Sequence, residues 1–218
     1  MTKPEVRILA NQIDLPTANK KYSQGLCFIG KVRLPEFLQQ QLEVKPGEII
    51  EIPADNEKCR DKNEYSGSPS ASPLKWNKED GEVVGQHQGA HFFTVGQRRG
   101  LNVGGKAEPL FVLSKDVIDN VLYVGQGEDH PGLLRRSLRI HMDELHWIRE
   151  DLILEEGALS EDFEFRFRYR QPLQKGTLRI EGNHAIILFQ EPQSCIAAGQ
   201  FAAWYQNDEC IGSVVISD

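Results

Sequence analysis

From Val83 onward the sequence is written almost entirely in short runs of β-branched and aromatic residues separated by turn formers, and no other feature restricts the fold as much. Residues 92–95, 110–114 and 121–125 read as short strands, with a further strand region at 137–147. Between 163 and 170 the alternation is unbroken. Phe163, Phe165, Phe167 and Tyr169 fall on one face of a pleated strand, and Glu164, Arg166, Arg168 and Arg170 on the other. Residues 177–180 pair with 185–189 across Gly182-Asn183, and 201–205 with 211–216 across Asn207-Asp208. Many short antiparallel strands at regular spacing imply a mainly β chain that ends in a barrel.

The first third is organised differently. Val6, Leu9, Ala10 and Ile13 recur at helical spacing until Leu15-Pro16 stops the pattern, which predicts a short helix. With no strand to pack against, it looks like the last piece of an element that begins upstream. Leu34, Phe37, Leu38 and Leu42 predict a second amphipathic helix, with Pro35 in its first turn. A turn at Lys45-Pro46-Gly47 leads into a strand over 48–52. Residues 54–80 are rich in Asn, Lys, Glu, Ser, Pro and Gly. Tyr65, Leu74 and Trp76 are their only large apolar residues, so a mobile insertion between two strands is expected there.

Composition narrows the class of protein. Hydrophobic residues make up 39% and charged residues 26%, as in soluble globular chains. No run approaches the roughly 18–20 apolar residues that a membrane helix needs, and residues 1–10 carry no apolar signal core. Cys27, Cys59, Cys195 and Cys210 are scattered without a C-x-x-C pair, which argues against a zinc ribbon and a secreted disulfide framework. A reducing cytoplasm is the expected setting. The net charge of −7 runs against the basic footprint of a nucleic-acid binder, so any such role must come from the distribution of charge.

Three places can carry chemistry. Cys27 sits between Gly25 and Gly30, in a backbone tight enough to present a thiol, with Lys20, Lys21 and Lys31 near in sequence to favour the thiolate. The other reading, a small hydrophobe packed between Leu26 and Phe28, stays open on these residues alone. Gln97-Arg98-Arg99-Gly100-Leu101 with Gly104-Gly105-Lys106 is a basic glycine-rich loop suited to phosphate, although it is neither a Walker motif nor a dinucleotide fingerprint. The alternative is a solvated hairpin tip. The arginines at 166, 168 and 170 recur every ~6.6–6.8 Å along one strand face, a spacing that resembles successive phosphates of a nucleic-acid strand. A polar outer face balanced by acids on neighbouring strands is the competing account. His87 and His91 lack a third ligand at sensible spacing, and no metal site is expected.

Taken together, the motifs resemble the tRNA-specific 2-thiouridylase (MnmA/TrmU) family. The matching strings are Asp14-Leu15-Pro16-Thr17-Ala18, Ser23-Gln24-Gly25-Leu26-Cys27-Phe28-Ile29-Gly30, and Phe93-Thr94-Val95-Gly96-Gln97-Arg98-Arg99-Gly100-Leu101. They continue through Asn120-Val121-Leu122-Tyr123-Val124-Gly125, Arg168-Tyr169-Arg170-Gln171-Pro172, Gly199-Gln200 and Glu209-Cys210-Ile211-Gly212, in the family's order. The resemblance implies ATP- and Mg2+-dependent adenylation of the wobble uridine of tRNA, then sulfur transfer from a cysteine persulfide supplied by a sulfur-carrier protein. It implies that Cys27 carries the persulfide and can pair with a second cysteine, and that Arg168, Tyr169 and Gln200 contact tRNA. The family's ATP-binding PP-loop motif is not among these residues, so ATP and Mg2+ are expected on the full-length enzyme and not on this chain, which alone should be inactive.

The implied organisation is a PP-loop-domain tail with the cysteine loop over 1–33, a small central β domain over 34–133 carrying the insertion 54–80, and a tRNA-contacting C-terminal antiparallel β-barrel over 134–218. Short N-terminal helices complete a mainly β fold. The alternative function is a non-catalytic RNA-binding β-barrel module.

Overall fold

The computed structural model describes residues 1–20, 37, 42–61, 73–160, 163–168 and 171–217, in two compact units, Met1–Glu43 and Val44–Asp218. The loop 25–30 and most of the helix expected over 34–42 lie outside the described residues. In the first unit, α1 (Lys3–Gln12) begins with the Thr2 amide donating to Glu5 Oε2 at 2.6 Å. It ends before the proline does any work. Asp14 takes a left-handed φ of 52°, the Leu15 amide donates to Ala10 O at 2.9 Å, and the Asp14 amide donates to Asn11 O at 3.2 Å. This is a Schellman termination, with an aspartate where glycine is commoner. Among the described residues no helix is long and apolar enough to cross a membrane.

The second unit holds two sheets. In the first, β1 (Gly47–Glu51), β2 (Glu82–His87), β3 (Leu110–Asp116) and β4 (Val121–Gln126) lie in the order β2-β1-β4-β3. β1 pairs antiparallel with β2 and parallel with β4. The parallel pair depends on Asn120, whose buried side-chain amide donates to the carbonyls of Lys45 and Pro46 at 2.9 Å each. That clamp fixes where β1 enters beside β4. Both faces of the sheet are covered. Ile49, Val112, Leu122 and Val124 pack with Ala90, Phe93 and Leu101 on one side, while Ile50, Val121 and Tyr123 pack with Cys59, Trp76 and Leu133 on the other. Two-sided burial explains why β4 reads as an uninterrupted apolar run instead of alternating.

Two expectations are corrected here. The stretch 54–80 is not a mobile insertion at its flanks. The short helix α2 (Glu57–Asp61) buries Cys59 to 1% exposure, and Trp76 returns on the far side to the same cluster at 7%. One apolar residue from each flank anchors the excursion, although composition alone predicted none; residues 62–72 lie outside the described residues. Residues 92–95 form no strand. A 3-10 turn, Ala90–Phe92, is started by Gly89 at φ 143° and held by the Ala90 amide donating to Asn120 Oδ1 at 3.0 Å.

The second sheet contains β5 (Leu134–His141), β6 (His146–Trp147), β7 (Leu159–Ser160), β8 (Glu164–Arg166), β9 (Gln174–Glu181), β10 (His184–Ser194), β11 (Phe201–Gln206) and β12 (Glu209–Val215). Their order is β5-β10-β9-β8-β11-β12-β6, with β7 on β9. β5 and β6 stand at opposite ends of that order, yet only residues 142–145 connect them, a span of at most ~18 Å. The sheet is therefore curled. The hairpin β9–β10 turns on Gly182 at φ 55°, and β11–β12 turns on Asn207 and Asp208 at φ 50° and 68°, the left-handed pair of a type I′ turn. Inside the curl, Phe163, Phe165, Phe167, Leu178, Ile187, Trp204 and Ile211 are buried. Trp204 meets Trp147 edge-on at 5.2 Å, and Gly212 leaves room for its indole: a Cβ there would lie 2.4 Å from the ring. Among the described residues of the strand expected over 163–170, pairing covers Glu164–Arg166. The Phe167 amide donates to Gln171 Oε1 at 3.0 Å, so a side chain ends the ladder.

The two sheets touch where Gly96, at φ 80°, faces Cys195: a Cβ on Gly96 would lie 2.3 Å from Cys195 Sγ. Both the backbone conformation and the space exclude a side chain there. Gly96→Ala is expected to lower stability by about 1–3 kcal/mol in urea denaturation. Gly104→Ala, which meets nothing within 4 Å, should stay within about 0.5 kcal/mol.

Candidate nucleic-acid interface

The alternation in β8 sets up the outer face of the curled sheet. With Phe163, Phe165 and Phe167 buried, Glu164, Arg166 and Arg168 take the outer side. On the neighbouring β11, Ala202 and Trp204 are buried, so Phe201, Ala203 and Tyr205 face outward beside them. Ala203 stands opposite Arg166 and Tyr205 opposite Glu164. The Arg166 guanidinium lies over the Tyr205 ring, 5.4 Å from its centroid. The ladder ends at the Ala203–Arg166 pair, so Arg168 lies two residues beyond it along one chain segment and Phe201 two residues before Ala203 on the other. On the other flank Glu164 stands opposite Lys175 of β9.

Several surface cations are ion-paired. Arg149 pairs with Asp151 at 2.7 Å and Glu209 at 2.8 Å, Lys78 pairs with Glu48 at 2.6 Å, and Arg179 pairs with Glu181. Among the described residues, Arg166 and Arg168 have no acidic partner. Gln200 is half-buried, with its backbone fixed by Ile216 N donating to Gln200 O at 2.7 Å, and its Oε1 is buried without a hydrogen-bond partner among the described residues. Arg168 is exposed and Gln200 is half-buried, each just outside the β8–β11 ladder; Tyr169 and Cys27 lie outside the described residues. The outward Phe201 and Tyr205 were not singled out from the sequence. The period-two pattern of 201–205, with Ala202 and Trp204 inward, contained that signal.

The glycine-rich loop is less suited to phosphate than its composition suggests. Lys106 is paired with Glu51, and Gln97 spends its side chain on the Thr94 amide and the Arg99 carbonyl. Leu101 is buried, which leaves Arg98 and Arg99 as the exposed cations beside an open hollow of about 380 Å³. No helix follows the loop to add its dipole, so the arrangement does not fit a nucleotide triphosphate with its metal. A second cleft of about 330 Å³ opens between the sheets. Its walls include Leu74, Leu113, Leu133 and Ile196, and its Lys115 is already donating to Phe93 O at 2.8 Å.

Histidines serve the architecture. His130 accepts the Gly132 amide on Nδ1 at 3.0 Å and faces Ile52 O with Nε2 at 3.1 Å, which requires the neutral Nε2–H tautomer. His87 similarly accepts the Gly89 amide on Nδ1 at 2.9 Å. Burial pushes both imidazoles below their usual value, against the raising effect of nearby backbone carbonyls. Among the described residues no group of three His, Cys, Asp or Glu is placed to hold a metal ion. Because the folded state binds these protons less readily than the unfolded chain, their contribution is complete above about pH 6.5 and lost as pH falls below it. Denaturation midpoints should therefore decline between about pH 7 and pH 5, and His130→Gln should flatten part of that slope.

The fold and site define a mainly β chain whose curled sheet carries Arg166 and Arg168, without acidic partners among the described residues, on its outer face. Family models match in three places: the tRNA methyl transferase HUP domain over residues 1–31, the tRNA methyl transferase PRC-barrel domain over 74–126, and the aminomethyltransferase beta-barrel domain over 137–216. The tRNA-specific 2-thiouridylases MnmA of Christiangramia forsetii and Flavobacterium johnsoniae are 53% and 51% identical to it, and that of Karelsulcia muelleri is 43% identical. Each comparison covers 100% of this chain, which spans 56%, 56% and 55% of those relatives. The chain belongs to the tRNA-specific 2-thiouridylase family.

Proposed function

We propose that this chain is part of a cytoplasmic tRNA-uridine 2-sulfurtransferase and that the outer face of β8 and β11 contacts the tRNA. The observation that supports this most directly is the pair of guanidinium groups on β8, Arg166 and Arg168, which have no acidic partner among the described residues. Arg168 and Gln200 are the proposed contacts from this unit, together with Tyr169. The names of the relatives, all tRNA-specific 2-thiouridylases, point to the same substrate.

Cys27 is proposed to carry the persulfide delivered by a sulfur-carrier protein. Its outer sulfur forms the new bond at C2 of the uridine as the activated oxygen leaves. The S–S bond to Cys27 is then broken by a second thiol, which ends as a disulfide with Cys27. ATP with Mg2+ supplies the activation of that oxygen, and no described residue of this chain is assigned to hold it. This chain's own part is to position the RNA through its basic face and to deliver sulfur through Cys27.

Two measurements test this reading. In the intact enzyme, tRNA affinity followed over a salt series should weaken in Arg166→Ala/Arg168→Ala, and the slope of log affinity against log salt should become shallower by about 1–2. An unchanged slope would remove β8 from the interface. Cys27→Ser should abolish thiolation while tRNA affinity is retained; undiminished thiolation would leave Cys27 as packing and favour a non-catalytic RNA-binding role for this chain.

A further inference from the structure

Phe201 is the outlying residue of the basic face. It lies within a strand yet is 59% exposed, while Ala202 beside it and Trp204 in the same strand are fully buried. Opposite it in register stands Val215, itself 42% exposed, so ring and valine make a small apolar platform on an outer sheet face. Arg166 stands opposite Ala203, two residues along β11 from Phe201, exposed Arg168 follows it in the chain, and Gln200 precedes Phe201. Tyr205, the other outward ring of β11, is already covered by Arg166. Phe201 has no ring or cation contact among the described residues, so its face is open.

We propose that Phe201 is a stacking platform for one unpaired base of the bound RNA, with Arg168 on a phosphate adjoining that base. The inference rests on the reading of this face as the tRNA contact and adds to it a subsite of defined chemistry. An open aromatic on a sheet beside unpaired guanidinium groups meets both needs of a splayed nucleotide, a flat apolar surface for the base and a cation for its phosphate. The charge of the border selects the occupant. Arg168 and Arg166 lack acidic partners among the described residues and suit a polyanion that repeats a negative charge at every unit, as an RNA backbone does. Stacking is indifferent to base identity, so the subsite selects for an unstacked nucleotide and not for its sequence.

The test uses tRNA binding by the intact enzyme over a salt series. Phe201→Ala is expected to weaken binding roughly 5- to 150-fold at every salt concentration with the slope unchanged, because no phosphate contact is lost. Phe201→Trp should retain or tighten binding, and Phe201→Leu, apolar but without a π face, should not rescue it. Thermal midpoints of all three should match the parent, since the ring is exposed. If Arg168→Ala makes the slope shallower but Phe201→Ala leaves affinity unchanged, the stacking subsite is wrong and the basic face stands. If neither variant alters binding, the reading of the face itself falls. A loss of self-association in Phe201→Ala by sedimentation, with RNA affinity intact, would reassign the ring to a contact between copies and overturn the proposal.

Discussion

Period-two alternation along residues 163–168 is the constraint on which the larger sheet depends. β8 is only three residues long, yet it is the link between β9 and β11, and so between the two halves of the order β5-β10-β9-β8-β11-β12-β6. Such a short strand contributes few backbone hydrogen bonds. Its position is fixed by the phenylalanines on its inner side, with Phe165 fully buried and Phe167 meeting Phe189 edge-on at 4.8 Å. Burying side chains of this size contributes roughly 1.5–3 kcal/mol each, more than the ladder bonds of so short a strand add net. A slip of one residue would turn the arginines into the core and the rings into water, so the register of the interface and the register of the core are one property.

The same strand shows how a structural element can also carry the proposed recognition surface. Once the inner side is committed to packing, the outer side is free to vary, and here it holds two guanidinium groups without acidic partners among the described residues. Other surface cations are paired with acids two residues away or across a sheet, as at Arg149 and Arg179. Exposed pairs of that kind add at most about 1 kcal/mol to stability, so their absence on β8 costs the fold little. What it leaves is a pair of donors ready for phosphate on a rigid support.

Much of this was legible in the sequence where the signal is local. The hairpins at Gly182-Asn183 and Asn207-Asp208 follow from turn chemistry, and the exposure of Arg168 follows from alternation. Non-local facts were not legible. The parallel pairing of β1 with β4 rests on Asn120 reaching carbonyls 74 and 75 residues earlier. The flanks of the 54–80 stretch are held by Cys59 and Trp76, which contribute to one cluster only because the chain returns to it. Residues 92–95 have the composition of a strand, but Gly89 turns the backbone and Asn120 captures the Ala90 amide, so tertiary contacts override local preference. At the site, alternation sufficed for the basic row, whereas the roles of Cys27, Tyr169 and Gln200 came from family resemblance and not from any pattern in the residues.

The overall acidity bears on how such a face can work. With 32 acidic and 25 basic side chains, the molecule as a whole repels a polyanion. Screening confines that repulsion, and any attraction by Arg166 and Arg168, to roughly 8 Å at physiological ionic strength. Long-range steering therefore contributes little, and binding must be decided by groups that touch the RNA. Under that condition an aromatic surface gains importance relative to charge, because stacking is short-ranged and is not screened by salt. It also gains in discrimination. Acids over the remainder of the surface, such as Glu155 and Glu156 in the exposed turn before β7, disfavour docking in other orientations. In the proposed role, an acidic surface with a basic and aromatic face sets the orientation of an RNA more strictly than a uniformly basic protein would, at the cost of a slower encounter.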